Sequence, residues 1–97
     1  MPVIPISNGV IEEISRERGN TLVTVMYGTG FGNQRNEQRI RLVVGPRTII
    51  VNSNGTPVPP SALAVGMRIN ATVSSAMTRS IPPQATAYLI RIVSRAP

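Results

Sequence analysis

Apolar and polar residues alternate along several short segments of this chain, and this pattern constrains the fold more than any other feature. Between Arg39 and Val44, the side chains of Ile40, Leu42 and Val44 fall on one face, and the arginines fall on the other. Successive side chains of a β-strand point to opposite faces, so this segment is predicted to be a strand with one buried face. Helical periodicity is nearly absent. The chain is therefore predicted to be all-β.

Three further segments alternate in the same way, at residues 21–27, 67–73 and 88–93. In the second of them, Met67, Ile69, Ala71 and Val73 are predicted to face inward. In the third, Tyr88 is predicted to share a face with Ile90 and Ile92. These segments supply the second, fourth and fifth strands of the predicted sheet.

The first strand, residues 9–14, does not alternate cleanly. A β-bulge at Glu12-Glu13 would let Ile11 and Ile14 share the inner face. Arg18-Gly19 is predicted to form a tight hairpin turn into the second strand. The third strand is predicted to continue past Gly45-Pro46 through residues 48–51, with a bend at the proline.

The segment from Pro59 to Gly66 carries the signals of one short helical turn, with proline at its start and glycine at its end. Leu63 and Val65 are predicted to plug one end of a barrel. Five strands with a helical turn between the third and fourth predict a small OB-like β-barrel. Aliphatic side chains would fill its narrow interior, so a ligand is expected on the outer surface or in the loops.

Ninety-seven residues fit one domain, and the sequence shows no internal repeat or linker. We expect an extended N-terminal segment over residues 1–8 and a single barrel domain over residues 9–95. The longest apolar runs are too short to cross a bilayer, and no signal peptide is recognisable. The compartment stays open.

The order of these signals resembles a small bacterial β-barrel domain that is catalogued as a domain of unknown function. That family has the pattern Gly-x-hydrophobic-x-x-Ile, Thr-x-Ile, Leu-x-Val-Gly-x-x-Val and Ala-x-x-Ile. The resemblance covers about residues 9 to 93 and implies a role in the bacterial envelope or another extracytoplasmic place. The matching elements are Gly9-Val10-Ile11-Glu12-Glu13-Ile14, Thr48-Ile49-Ile50, Leu63-Ala64-Val65-Gly66-Met67-Arg68-Ile69 and Ala87-Tyr88-Leu89-Ile90.

The charged residues are ten arginines and four glutamates, which give a formal net charge of +6. A basic surface favours nucleic acid, an anionic lipid surface or an acidic protein as partner. The alternative is that codon usage or selection for stability has replaced lysine with arginine throughout, without any functional meaning.

The chain has no histidine, cysteine or aspartate. Triads built on Ser-His-Asp or Cys-His are therefore excluded, and no cluster of residues has metal-ligand spacing. Glu12 and Glu13 are neighbours on one strand and make a poor catalytic pair, unless a bulge brings them together. We predict that the protein is not an enzyme and uses no cofactor and no metal.

Residues 28–35, with the sequence GTGFGNQR, look at first like a phosphate-binding loop. A Walker A loop requires lysine, and this chain has none; a dinucleotide-binding loop requires a following helix, and a polar segment leads into a strand instead. The glycines are therefore predicted to join the second and third strands. Phe31, at the tip, is either folded onto the barrel or exposed as a contact residue.

Two functions remain open from the sequence. The first is a non-catalytic binding or assembly module, one piece of a larger bacterial protein or envelope assembly, with a protein partner or self-assembly. The second is the binding of single-stranded nucleic acid, in which bases stack on aromatic rings and arginines contact phosphates. The candidate residues for that binding surface are Tyr27, Phe31, Arg35, Arg39, Arg41 and Arg79.

Overall fold

The computed structural model describes residues 2–29 and 36–94 of the chain. A 3-10 turn, Pro60–Ala62, lies between the fourth and fifth strands in chain order. The strands are β1 (Val3–Glu17), β2 (Asn20–Thr29), β3 (Asn36–Val44), β4 (Ile49–Val51), β5 (Arg68–Ser74) and β6 (Gln84–Ser94).

Five of these strands close into a small barrel. β1, β2 and β3 form an antiparallel meander, and β5 pairs antiparallel with both β1 and β6. The barrel closes where β6 pairs parallel with β3, and the short β4 pairs with β6 further along the same strand, also in parallel. The architecture is the predicted all-β, five-stranded OB-like barrel with a short helical turn before its fourth strand, and the prediction is confirmed.

The core consists of the inward side chains of all five barrel strands. Every residue predicted to face inward from β3 and β5 is buried, as is Met67 just before β5, which confirms the alternation in those two segments. Ala85 and Ala87 of β6 are also buried. The most deeply buried large side chains are Ile6, Ile11, Ile40, Leu42, Ile69, Ile90, Val23, Val25, Val44 and Val73.

β1 contains two irregularities. Ile11 lies opposite Val25 and Glu13 lies opposite Thr24, so Glu12 is an extra residue and the predicted bulge is confirmed. The second irregularity falls between Ile6 and Gly9, just before β1 changes partner: its first part, as far as Val10, pairs with β5, and its second part, from Val10 onward, pairs with β2.

Residues 3–8 belong to β1, so this strand begins six residues before the predicted barrel boundary at residue 9. Val3 to Ile6 pair with β5, and Ile6 is buried. Pro5 hides the strand in the sequence, because proline lacks the N–H that a strand interior normally donates.

Two turns follow the sequence prediction. Arg18 and Gly19 both have positive φ, 50° and 81°, as a tight two-residue hairpin requires. The third strand breaks at Gly45-Pro46 and resumes as β4 along the same partner: Val43 lies beside Thr86, and Ile49 lies beside Leu89.

Two predicted positions are wrong. Leu63 is buried as expected, but Val65 is 58% exposed, because the helical conformation ends at Ala62 and does not carry Val65 to the same face. Tyr88 does not share a face with Ile90. Thr72 lies opposite Leu89 and Val73 opposite Ala87, so Tyr88 is the extra residue of a bulge, where the inward phase of β6 changes.

Candidate functional site

Four of the six residues predicted for a nucleic-acid surface, Tyr27, Arg39, Arg41 and Arg79, lie in the described part of the chain. Phe31 and Arg35 lie outside the described residues. Tyr27 is half-buried and packs against the core, so only part of its ring faces solvent. Arg39, Arg41 and Arg79 are described, and each has a different environment.

Arg39 is held by Glu12. Its Nε donates a hydrogen bond of 2.7 Å to Oε1 of Glu12, and its Nη2 lies 3.4 Å from the second carboxylate oxygen. This hydrogen bond and the negative charge of Glu12 raise the pKa of Arg39 above its ordinary value. Glu12 is the extra residue of the bulge in β1, and its exposed side chain reaches across β2 to Arg39 of β3. The charge of Arg39 is partly neutralised within the protein.

Arg41 ties β3 to the end of the loop that carries Arg79. Its backbone N–H donates to the carbonyl oxygen of Pro83 at 2.8 Å, and its Nη1 donates to Oε1 of Gln84 at 3.2 Å. Arg41 is half-buried and Arg79 is exposed. Arg41 therefore has a fixed base and a guanidinium that still reaches solvent.

The arginines are largely uncompensated. In the described part of the chain, Arg39 is the one arginine with a carboxylate within 4.0 Å. Three of the four glutamates lie on β1, and Glu37 lies at the start of β3. Arg47, Arg68, Arg79 and Arg91 lie outside the two strands that carry the glutamates, whereas Arg16 and Arg18 flank Glu17.

A groove that the sequence analysis missed lies on the outside of the barrel, between the loop at residues 45–48 and strand β6. Its volume is about 370 Å³, and apolar atoms form almost all of its wall. We call it the seam groove, because it lies where β3 and β6 close the barrel. Its lining includes Val43, Pro46, Arg47, Thr48, Thr86 and Tyr88.

Thr48 fixes the loop that forms one wall of the seam groove. Its Oγ1 accepts a hydrogen bond from the N–H of Gly45 at 3.1 Å and donates one to the carbonyl oxygen of Ala87 at 2.7 Å. Its own N–H donates to the carbonyl oxygen of Gly45 at 3.1 Å. One hydroxyl thus closes the loop and joins it to β6, so the groove is preformed.

Two exposed aliphatic residues extend the apolar surface beside the groove. Ile49 of β4 is 58% exposed and Leu89 of β6 is 40% exposed, and they are direct partners in the strand pairing. Each follows a lining residue in the chain, Thr48 and Tyr88 respectively. The sequence carries a signal for this surface. In a regular strand, inward residues are two positions apart, but the apolar residues Ala87 and Ile90 are three apart. That spacing requires a bulge between them, and the bulge turns Tyr88 outward.

Comparison of the chain with protein-family models, with curated proteins and with solved structures gives no match. Its architecture therefore defines its class, a small OB-like barrel with an apolar groove at its seam. Within residues 2–29 and 36–94, no helix has the length and apolar character needed to cross a bilayer.

Proposed function

We propose that this protein is a non-catalytic binding module that takes an apolar group of a partner protein into the seam groove. The observation that carries the proposal is the groove itself: about 370 Å³ of apolar, outward-facing space beside Ile49 and Leu89. Small binding sites are typically concave, mostly apolar and preformed, with few polar groups.

The energetic argument is that this surface gains from being covered. Removal of apolar surface from water stabilises a complex by about 25 cal/mol per Å². Binding does not have to order the 45–48 loop, because the Thr48 hydroxyl already bonds to Gly45 within the loop and to Ala87 of β6. The free energy gained by covering the apolar surface is therefore not spent on ordering the loop. Rigid walls and apolar lining are the features of an anchoring pocket at a protein interface.

The chemistry of the groove argues against catalysis. Its described lining contains hydroxyls and one guanidinium, with no carboxylate, imidazole or thiol. The chain as a whole has no histidine or cysteine to supply a general base or a strong nucleophile. We therefore propose binding without turnover. The resemblance to a bacterial barrel domain further supports a role within a larger bacterial or envelope assembly.

Titration of the ¹⁵N-labelled protein with indole, followed by amide chemical shifts, tests the groove directly. We expect shifts concentrated at Gly45, Thr48, Thr86 and Tyr88, with an affinity of about millimolar for so small a probe. Thr86→Glu places a charge in the groove mouth and should abolish these shifts. The matched control, Ser15→Glu, changes an exposed strand residue of β1 and should leave them intact. Shifts spread over the barrel, or confined elsewhere, would refute the proposal.

Binding of single-stranded nucleic acid is the second candidate, and the uncompensated arginines favour it. The same titration with oligothymidylate separates the two functions. If the protein binds nucleic acid, oligothymidylate should shift the amide signals of residues around Arg41, and its affinity should fall steeply as the salt concentration is raised. Glu12→Gln should strengthen it, because Arg39 is then released from its ion pair. Absence of binding at about 50 mM salt would exclude this function.

A further inference from the structure

We propose that the partner segment at the seam groove is an acidic peptide that inserts one bulky apolar side chain between the 45–48 loop and β6. This inference rests on the proposed function and names the chemistry of the partner. Three properties of the groove carry it: the charges at its rim, the hydrogen bonds within its wall, and its size.

The rim of the groove is positively charged. Arg47 is part of the lining, and Arg41 lies one outward position along β3 from the lining residue Val43. On the neighbouring strand, Gln84 pairs with Arg41 and Thr86 pairs with Val43, so Arg41 and Gln84 border the end of the groove away from the loop. In the described residues neither arginine has a carboxylate within 4.0 Å. Carboxylates on a partner would supply the missing counter-charge.

The wall of the groove selects an apolar side chain over a nucleobase. The hydroxyl of Thr48, the N–H of Gly45 and the carbonyl of Ala87 already bond to one another. Almost all of the groove wall is apolar, so a base placed here would replace few of the hydrogen bonds that its polar edge makes to water, which is unfavourable. A phenylalanine, leucine or methionine side chain has no such groups to satisfy.

The size of the groove indicates a single anchor. A volume of about 370 Å³ is at the lower end of the range for small-molecule sites. It suits one large side chain with the flanking backbone lying outside, across Ile49 and Leu89. A second copy of this chain is disfavoured as the occupant, because each copy carries a net charge of +6 and the two would repel.

The test begins with a phage-displayed library of random dodecapeptides selected on the folded protein and counter-selected on Thr86→Glu. We expect the enriched sequences to carry a bulky apolar residue flanked by aspartate or glutamate. The most enriched peptide is then synthesised, together with one version in which the acidic residues become their amides and one in which the apolar residue becomes serine. Binding is measured by fluorescence anisotropy, and the contact surface is mapped by amide chemical shifts.

The serine version should bind at least about tenfold more weakly, because the buried anchor carries most of the affinity. The amide version should bind about three- to tenfold more weakly and lose most of its salt dependence. Arg47→Gln and Arg41→Gln should each raise the Kd of the acidic peptide about three- to fivefold, with little effect on the amide version. The control Arg68→Gln removes the same charge from the exposed start of β5 and should leave the Kd nearly unchanged.

The outcomes distinguish this inference from the function on which it rests. If the enriched peptides are apolar but neutral or basic, the acidic partner is wrong while the groove function stands. If the acidic peptide binds equally well to the Arg47→Gln and Arg41→Gln variants, the charge argument is overturned. If oligothymidylate displaces the peptide from the groove, the partner class is wrong. If no peptide separates the wild type from Thr86→Glu and indole shifts no groove amide, both proposals fail.

Discussion

At the scale of single residues, Gly9 shows how closely this small barrel is packed. It lies where the pairing partner of β1 changes from β5 to β2, and a Cβ built on it would clash with Cγ1 of Val25. Val25 is fully buried and its branched side chain cannot rotate away easily. The preceding residue, Asn8, has a φ of 54° and donates its N–H to Oδ1 of Asn70 at 2.9 Å.

The first prediction is that Gly9→Ala destabilises the protein by about 1–3 kcal/mol, because an added methyl group overpacks the core at Val25. Chemical denaturation monitored by circular dichroism measures the change in the free energy of unfolding. Gly45→Ala is the control, since a Cβ there meets only Oδ1 of Asn20 at 3.4 Å. Equal stability of Gly9→Ala and the wild type would show that the bend in β1 tolerates a side chain.

At the scale of elements, the interrupted strand β3–β4 shapes the seam groove. Two residues of β6 lie between Thr86 and Leu89, whereas five residues lie between their partners Val43 and Ile49. The excess chain forms the loop at residues 45–48, and Thr48 fastens it to β6. The bulge at Tyr88 adds to the effect, because it turns an aromatic ring outward into the space beneath this loop.

The second prediction concerns this fastening. Thr48→Val keeps the shape of the side chain but removes the hydroxyl, so the N–H of Gly45 and the carbonyl of Ala87 lose a partner. We expect a loss of about 1–3 kcal/mol in the free energy of unfolding and faster hydrogen exchange at the amide of Gly45. Thr48→Ser retains the hydroxyl and should keep the slow exchange. Unchanged exchange in Thr48→Val would mean that the loop is held by other contacts.

At the scale of the whole molecule, the barrel encloses a single packed core. The parallel pairing of β3 with β6 closes the barrel around it. That pairing joins Arg41–Val43 to residues 84–86, segments far apart in the chain. Inward residues of every barrel strand meet in one cluster. The removal of one large buried side chain should therefore affect the stability of the entire barrel.

The third prediction compares two neighbours on β6. Ile90 is fully buried, and Ile90→Ala should cost about 2–5 kcal/mol because it leaves a cavity in the core. Leu89 is 40% exposed, and Leu89→Ala should change stability by less than about 1 kcal/mol while it removes part of the apolar surface beside the groove. Thermal unfolding measures both. Similar costs for the two variants would contradict the inward phase assigned to β6.

The sequence by itself determined the strands, most of their buried faces and the bulge at Glu12, because alternation is local and each face is recorded within a few residues. It failed at Tyr88 and Val65, where the alternation changes phase or the helical turn stops early. It also failed at the first residues of β1, where proline hides the strand.

Tertiary structure alone decided the pairing of Arg39 with Glu12 and the seam groove. Both join residues that are distant in the chain: 27 residues separate that ion pair. The hydrogen bond from Thr48 to Ala87 in the groove spans 39 residues. Local sequence patterns carry no information about contacts between residues so far apart in the chain. The roles of Phe31 and Arg35 stay predictions.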